Sequence, residues 1–476
     1  MRPTGPAATG APLDARQAHT VVTEINTIVV GAGISGLVCG YALRKAGVDV
    51  LVLEASTRAG GVIRSERREG FLVELGPQSF SGTADLRKLC TELGIAEQLL
   101  EAPAGLPRYV LVDGKLLAVP MSPPALLTSS LLGGRTKWNI ARDAFGWSRA
   151  PEEDESIAAF VRRKFGAEML DRLVGPFVSG VYAGDPERLS LRSAFPQVHE
   201  AEKAAGSVIR GMMHASKDGA EPRKRPTLMS FREGNETLVR GLAAKIGAGL
   251  RVNAEVTRIA MARAGAAGRF EVRVQGTGGE QTLLAERVVL ATSTDVAGRM
   301  SSEVNAELGR LLRGIEHVPV AVTSLGYRRA DVGHALEGFG FLAPRSSGLR
   351  VLGTVWNSSL FSGRAPEGSV LLTSFVGGAT DPESVTLSNE ALASLVHKEI
   401  RSVLDVRAAQ IFSYVHIYRR ALPQYNLGHA LRLTAMEKLR AATGHLYFAG
   451  NYFRGPAIGS CLDQALEVAR AIHPLY

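Results

Sequence analysis

The chain has 476 residues, of which 45% are hydrophobic and 21% are charged, with a formal net charge of +9. At about 150 residues per domain this length predicts about three domains. The apolar content excludes a mainly disordered chain, because enough surface can be buried to offset the entropy of ordering. The 3 cysteines are too few and too widely spaced for a disulfide framework or a zinc cluster, so we expect a reducing compartment and no metal site.

The excess of basic residues fits nucleic acid, an anionic membrane or an acidic substrate. Residues 1–21 are rich in Pro, Ala and Gly and lack the basic start and apolar core of a secretory signal, so we expect a disordered lead. The most apolar run, residues 28–43, is interrupted by four glycines and is shorter than the roughly 18 residues that span a bilayer. We therefore expect no transmembrane segment.

The elements that follow predict a mixed α/β fold. A β-branched run at 25–30, a glycine-rich turn, an apolar-periodic stretch ending at Gly47 and a second apolar run at 48–53 form a βαβ unit. Residues 86–209 read as helical and mixed. Further strands are predicted at 250–259, 269–274, 287–292, 318–328, 338–343, 349–355 and 369–376, the last four as an antiparallel sheet. Residues 444–476 read as strand, turn and helix, so a nucleotide fold at both ends encloses a different sheet.

The first βαβ unit carries a dinucleotide-binding pattern. Gly31 permits the tight turn, Gly33 lets the backbone approach a pyrophosphate, and Gly36 lets helix and strand pack closely. Ile34 and Ser35 lie at the helix N-terminus, where free N–H groups favour a phosphate. Glu54 ends the second strand and is placed to accept ribose hydroxyl hydrogen bonds, which favours FAD or NAD over NADP.

Two further segments favour FAD. After Glu54, the chain continues through Ala55, Arg58 and the pair Gly60-Gly61, which resembles flavoproteins of the amine-oxidase and glutathione-reductase type. Near the C-terminus, residues 446–451 with Gly450 resemble the second flavin motif of that superfamily, and Ile458, Gly459 and Ser460 open a helix whose N-terminus would stabilise a reduced, anionic flavin. The resemblance also implies that Gly76 and Val256 contact FAD.

Four further segments resemble one particular family, the oxygen-dependent protoporphyrinogen oxidases. These segments are residues 177–195, 336–344, 352–356 and 423–429. The resemblance implies a Rossmann-type FAD-binding domain, an antiparallel-sheet substrate domain and a helical membrane-associating domain. The expected FAD-binding domain comprises 22–96, 228–298 and 438–476; the substrate domain comprises 97–112, 191–227 and 299–437; the helical domain comprises 113–190.

The resemblance also implies the substrate residues. Arg108 matches an arginine that meets a propionate, a contact that a guanidinium can make bidentately. Leu342, Val355 and Phe375 match apolar pocket positions, where Val355 departs from a common leucine. Gly180, like Gly184 in the same stretch, would allow close backbone approach to a tetrapyrrole.

The chemistry implied by the resemblance is oxidation of protoporphyrinogen IX to protoporphyrin IX. Six electrons leave in three cycles of FAD reduction, with O2 as acceptor and H2O2 as product, and the cofactor carries the difficult step. No general base is predicted, because His317, His334, His416 and His429 lack sequence partners that would mark them as catalytic.

Membrane attachment is predicted from residues 116–132, an apolar stretch followed by Arg135, Lys137 and Trp138. An apolar patch beside basic and aromatic residues suits an interfacial anchor, although packing inside the helical domain explains the stretch equally well from composition alone. The family resemblance favours a cytoplasmic protein held peripherally on a membrane surface, without a nucleic-acid partner. A homodimer and contact with the next enzyme of the pathway also fit it.

Three alternatives stay open. A coproporphyrinogen III oxidase would share the fold and chemistry but bind four propionates in a more open, more basic pocket, which the net charge of +9 favours. Another amine-oxidase-type enzyme would act on an amine or a carotenoid, and an aromatic cage beside the flavin would support the amine. A flavin-containing tetrapyrrole-binding protein would bind without catalysis.

Overall fold

The computed structural model describes residues 23–146, 151–217, 227–266 and 268–474, so the predicted lead at 1–21 lies outside the described residues. The strands are β1 (Thr23–Val30), β2 (Val50–Leu53), β3 (Ser65–Arg68), β4 (Phe71–Glu74), β5 (Phe80–Ser81), β6 (Leu99–Glu101), β7 (Arg108–Val112), β8 (Lys115–Ala118), β9 (Leu228–Phe231), β10 (Leu250–Arg251), β11 (Glu255–Met261), β12 (Phe270–Gly276), β13 (Gly279–Leu290), β14 (His317–Arg328), β15 (Gly340–Leu342), β16 (Val351–Trp356), β17 (Ser369–Gly377), β18 (Phe412–Pro423) and β19 (Leu446–Phe448).

The α-helices are α1 (Ile34–Lys45), α2 (Ala84–Leu93), α3 (Pro123–Thr128), α4 (Gly134–Phe145), α5 (Ile157–Lys164), α6 (Ala167–Met169), α7 (Gly175–Tyr182), α8 (Leu191–Ala194), α9 (Pro196–Ala205), α10 (Val208–Lys217), α11 (Glu236–Ile246), α12 (Thr294–Ser301), α13 (Ala306–Arg313), α14 (Asn357–Leu360), α15 (Asn389–Leu404), α16 (His429–Thr443) and α17 (Ile458–Ile472). Short 3₁₀ turns lie at Ala96–Gln98, Gly247–Gly249, Arg329–Asp331, Arg345–Ser347 and Pro382–Thr386, and a π-turn joins α6 to α7 at Leu170–Val174.

The first sheet draws strands from both ends of the chain. Its order is β10-β2-β1-β13-β12-β11, with β19 also paired to β13. The pairs from β10 to β13 and the β13–β19 pair are parallel, whereas β12 and β11 continue antiparallel. One face packs against α1, α11 and α17 and the other against α12, α13 and α16, which explains why β2 is apolar throughout. The βαβ unit and the C-terminal strand, turn and helix are confirmed.

The register of this sheet creates one functional edge. Leu53, Val30, Leu290 and Phe448 are neighbours in one row across the four parallel strands. The residues that follow them therefore leave the sheet at the same carboxyl edge, which is where open α/β sheets bind ligands.

The second sheet has the order β18-β14-β17-β16-β15-β7-β8. Its pairs are antiparallel except β15 with β7, which is parallel. Helix α15 covers one face through Leu392, Val396, Ile400 and Leu404. The antiparallel sheet predicted from the four strand-like runs between residues 318 and 376 is confirmed, with β18, β7 and β8 as additional members.

Helices α3 to α10 pack around a separate apolar cluster that includes Ile140, Phe160 and Val178. Within the apolar stretch at 116–132, Leu131 and Leu132 are buried in this cluster, whereas Met121 and Leu127 are exposed. Strand β8 pairs with β7, so the residue 112/113 boundary of the predicted helical domain falls inside a hairpin. Within the described residues, no helix is both long and apolar enough to cross a membrane.

Candidate functional site

The glycine turn between β1 and α1 is built as its sequence predicts. Gly31 has a φ of +97°, and its amide donates to the Leu53 carbonyl at 2.7 Å. A Cβ at Gly36 would overlap the carbonyl oxygen of Gly31, whereas a Cβ at Gly33 would meet no atom within 4 Å. Gly36 is therefore needed for packing, and Gly33 opens onto free space at the start of the helix.

Two long helices begin at this site without side-chain caps. The N-cap of α1 is Gly33 and that of α17 is Ala457, and neither residue makes a side-chain capping hydrogen bond. Ile34 is half-buried beside the turn, while Ser35 and Ile458 are buried. A Cβ at Gly459 would also meet nothing within 4 Å, and Ser460 lies beside it in the first turn of α17. Uncapped N–H groups with open space beside them suit the phosphates and the electron-rich edge of a flavin nucleotide.

Glu54 directly follows β2 and holds the glycine turn with both carboxylate oxygens. Oε2 accepts from the Ala32 amide at 2.8 Å, and Oε1 accepts from the Ser56 amide at 2.9 Å and the Ser56 hydroxyl at 2.7 Å. A carboxylate has about four lone-pair positions, so the group can still accept from ribose hydroxyls. Glu54, the residue predicted to bind the ribose, thus also holds the glycine turn between β1 and α1 in place.

Arg58 folds the loop that follows. Its guanidinium donates to the carbonyls of Ala59 at 2.9 Å, Gly61 at 2.5 Å and Ile63 at 3.2 Å. A Cβ at Gly61 would lie 3.2 Å from the Cα of Gly33, which places this loop directly beside the glycine turn.

The remaining predicted cofactor residues are placed differently. Gly60 has a φ of +118° within the loop that Arg58 folds, and Gly76, beyond β4, packs against that loop because a Cβ there would overlap the Val62 carbonyl. Ala55 is exposed. The Val256 side chain is buried in the core of the first sheet, so only the Val256 backbone could contact FAD. Gly450 follows β19, and a Cβ there would lie 2.5 Å from the Tyr452 ring.

The predicted substrate residues come together on one face of the second sheet, which we call the substrate face. Two adjacent rows of cross-strand neighbours define it: Val110–Leu342–Gly353–Phe375–Val322–His416 and Arg108–Gly340–Val355–Thr373–Ser324–Tyr414. Direct cross-strand neighbours point to the same side of a sheet, and positions two apart share that side. Arg108, Leu342, Val355 and Phe375 therefore form one surface.

Helix α7 packs over this face. A Cβ at Gly180 would overlap Cδ2 of Leu342, so only a glycine allows the helix to come this close. Gly184 lies beyond the end of α7, where a Cβ would lie 2.5 Å from Leu189 and 2.8 Å from Oε1 of Gln424. Gly180 is thus brought to the substrate face, whereas Gly184 meets protein atoms away from Leu342.

Arg108 marks one end of the rows. It is exposed at the start of β7, and its guanidinium carbon lies 5.3 Å from the centre of the Phe339 ring. From β7 to β17 the substrate face spans about 14 Å at the usual strand spacing. An apolar surface of this width with a cation at its end matches a large apolar ligand that carries an acid group.

Sequence reasoning missed the aromatic end of the face. Tyr414, His416 and Tyr418 alternate on β18, and the His416 and Tyr418 rings lie 4.4 Å apart. The Tyr418 hydroxyl donates to the Val62 carbonyl at 3.4 Å, which joins the face to the loop that Arg58 folds. Burial, with Arg64 and Arg58 nearby, lowers the pKa of His416, and burial raises the pKa of Tyr418 to about 12. The alternation of these three rings along β18 was the sequence signal that could have identified this end of the face.

A second link that sequence reasoning missed is a hydrogen bond between two buried side-chain amides, those of Gln78 and Asn357. Gln78 donates to the carbonyls of Glu74 and Gly76, each at 3.0 Å, and its Oε1 accepts from Asn357 at 2.7 Å. Asn357 begins α14 at the end of β16, so this link ties the loop at Gly76 to the substrate face. No local motif could have identified a pair so far apart in sequence.

Comparison with known proteins identifies the class. Residues 34–473 match the model of the flavin containing amine oxidoreductases, and the chain belongs to this family. It is an oxidoreductase, and the predicted cofactor, FAD, fits the uncapped helices and the open space at Gly33.

The relatives are more specific. The chain is 32% identical to the chloroplastic protoporphyrinogen oxidase of Nicotiana tabacum over 94% of its own length and 85% of the relative. It is 28% identical to the coproporphyrinogen III oxidase of Bacillus subtilis over 92% and 96% of the two chains. A solved structure from Exiguobacterium sp., assigned as a protoporphyrinogen oxidase, has the same fold, with a TM-score of 0.78, 23% identity and coverage of 96% and 100%. The resemblance predicted from the motifs is confirmed.

Proposed function

We propose that the protein oxidises a porphyrinogen to the corresponding porphyrin, with protoporphyrinogen IX as the preferred substrate, O2 as the electron acceptor and H2O2 as the second product. The observation that carries this proposal is the arrangement of Arg108, Leu342, Val355 and Phe375 in two adjacent rows on one sheet face. The protoporphyrinogen oxidase relatives supply the substrate class.

The chain's own residues would bind and orient the macrocycle. Leu342, Val355 and Phe375 supply an apolar wall, on which a pyrrole ring can stack against Phe375 for about 0.5–1.5 kcal/mol beyond area burial. Arg108 would hold a propionate bidentately at the exposed end of the wall. When bound, FAD supplies the two-electron chemistry, and the protein supplies orientation and exclusion of water.

Coproporphyrinogen III is the alternative substrate. The Bacillus subtilis relative carries that name at 28% identity, and the same wall and arginine would serve it. An amine is the third candidate, because the adjoining His416 and Tyr418 rings on β18 are an aromatic surface of the kind that can contact a cation.

Turnover by the FAD-loaded protein distinguishes these candidates. We expect porphyrin fluorescence from protoporphyrinogen IX, with three H2O2 released per porphyrin, and no peroxide from benzylamine. If coproporphyrinogen III is turned over faster, then it, and not protoporphyrinogen IX, is the preferred substrate. Peroxide from benzylamine alone would overturn the proposal.

Arg108→Ala tests the binding surface. Loss of a charge-assisted contact should raise the KM for protoporphyrinogen IX about tenfold, with kcat and FAD content unchanged. Arg273→Ala is the matched control, because Arg273 lies on β12 in the first sheet and pairs with Glu271 at 3.5 Å. An unchanged KM in Arg108→Ala would remove this residue from the pocket.

We also propose that the protein associates with a membrane surface through α4. Arg135, Trp138, Arg142 and Phe145 lie at helical spacing on its exposed side, with Trp138 68% and Phe145 84% exposed. Two exposed aromatics that alternate with two cations suit an anionic lipid interface. This stripe supports the predicted peripheral attachment, and Met121 and Leu127 of the apolar stretch 116–132 are also exposed.

Flotation with vesicles of phosphatidylcholine and phosphatidylglycerol tests the stripe. We expect the Trp138→Ala/Phe145→Ala variant to lower the bound fraction about fivefold, since both side chains lose apolar area that the lipid would cover. Leu431→Ala is the control, because Leu431 is 68% exposed on α16, outside the helical region. Equal binding by wild type and the double variant would contradict attachment through α4.

A further inference from the structure

The segment Pro423–His429, which we call the connector loop, contacts both halves of the site. It runs from the last residue of β18 to the first residue of α16, and the side chains of Gln424, Tyr425 and His429 are buried. The sequence marked it only as a family motif and gave its residues no function.

On the flavin side, the loop holds residues 449–457, which we call the flavin turn, between β19 and α17. The Tyr425 hydroxyl donates to the carbonyl of Asn451, and Nε2 of His429 lies 2.9 Å from the carbonyl of Tyr452. The two rings meet edge to face at 4.9 Å, so they act as one packed pair. Consecutive peptide units of the flavin turn are thereby fixed in orientation.

The protonation state of His429 is defined by its surroundings. Burial lowers the pKa of His429 to about 4, so the ring is neutral at neutral pH. A hydrogen bond to a carbonyl requires a donor, and Nε2 must therefore carry the single ring proton. The contact is an ordinary neutral hydrogen bond that a glutamine amide can reproduce.

On the substrate side, the loop holds the end of α7. Nε2 of Gln424 donates to the carbonyl of Tyr182 at 3.0 Å, and the Ser190 amide donates to the carbonyl of Tyr425 at 2.8 Å. Tyr182 is two residues beyond Gly180, which packs on Leu342 of the substrate face. The same loop thus fixes the helix that covers the proposed substrate wall.

We propose that the connector loop contains positioning residues of two kinds. Tyr425 and His429 hold the flavin turn, so that the N-terminus of α17 faces the flavin, and Gln424 holds α7 against the substrate face. The flavin half requires only FAD binding, whereas the Gln424 half rests on the proposed porphyrinogen substrate.

Single substitutions separate the two sides. Tyr425→Phe removes one hydroxyl, and His429→Leu removes one donor; each should weaken FAD binding to the apoprotein about fivefold, the usual worth of one hydrogen bond. The porphyrinogen KM at saturating FAD should stay within about twofold. Gln424→Met should do the reverse, raising KM with the FAD Kd unchanged.

Two further variants keep the result interpretable. His429→Gln restores a donor and should recover the wild-type FAD Kd, and Leu427→Ala changes an exposed side chain of the same loop and should alter neither constant. FAD Kd is measured by quenching of flavin fluorescence, beside the melting temperature of the apoprotein.

A fall in melting temperature without a change in FAD Kd would show a purely structural role and overturn the flavin half. An unchanged KM in Gln424→Met, with porphyrinogen turnover intact, would overturn the substrate half. If no porphyrinogen is turned over, the proposed function and the substrate half fail together, and the FAD titrations still decide the flavin half.

Discussion

Single residues at the glycine turn have separable tasks. Gly36 is fixed by packing, because a Cβ would overlap the Gly31 carbonyl, whereas Gly33 has a φ of −69° that any residue adopts and open space around its Cβ position. A glycine that the protein itself does not require points to something outside the protein. We propose that the pyrophosphate of FAD is the group that explains Gly33.

Paired alanine substitutions test this distinction. Gly33→Ala should leave the melting temperature of the apoprotein unchanged and weaken FAD binding at least about tenfold, because the methyl group occupies the space of the pyrophosphate. Gly36→Ala should destabilise the apoprotein by about 1–3 kcal/mol through overpacking. Differential scanning fluorimetry and FAD titration provide both values. Equal melting-temperature losses in the two variants would show that Gly33 is needed for the fold.

At the scale of elements, sequence reasoning succeeded where the pattern is local. The turn at Gly31 and the acid at Glu54 lie within one short βαβ segment, so their spacing identifies them. The helix opening at Ile458 lies in a second short segment near the C-terminus, where the family resemblance assigned it to the flavin. The β7–β8 hairpin carried an equally local signal, since Asp113 and Gly114 both have positive φ and form the dipeptide typical of a tight hairpin. It was nevertheless included in a helical and mixed region.

Contacts between distant elements were not predictable in this way. Arg108 becomes a neighbour of Gly340 only because β7 pairs in parallel with β15, and His416 joins the same face through β14. Hydrophobic alternation defines which side of a strand is buried but not which strand lies beside it. The family resemblance selected Arg108, Leu342, Val355 and Phe375, and the strand register explains why they form one surface.

At the scale of the whole molecule, a buried polar network joins the β3–β4 hairpin to the segments that precede α11 and β17. Glu74 on β4 accepts from the Ser65 hydroxyl at 2.6 Å and from the Asn235 amide at 2.9 Å, and Arg364 lies 3.6 Å away. Glu74 and Arg364 are 2% and 1% exposed. Arg364 precedes β17 in the second sheet, so this network links segments from widely separated parts of the chain.

The Glu74 carboxyl makes global stability depend on pH. Burial raises its pKa from 4.5 to about 7, against the opposing effect of Arg364. The folded state therefore retains a proton that the unfolded state has lost, and the stabilisation present at low pH disappears as pH rises from about 4.5 to about 7. The full effect is on the order of 3 kcal/mol.

Urea unfolding of the FAD-free protein between pH 5 and pH 8 tests this dependence. We expect the free energy of unfolding of the wild type to fall with rising pH relative to Glu74→Gln, because glutamine mimics the protonated carboxyl and cannot ionise. Glu280→Gln, at an exposed position on β13, should follow the wild type. A Glu74→Gln curve parallel to the wild type over this range would show that Glu74 keeps an ordinary pKa, and that Arg364 offsets the cost of burying its charge.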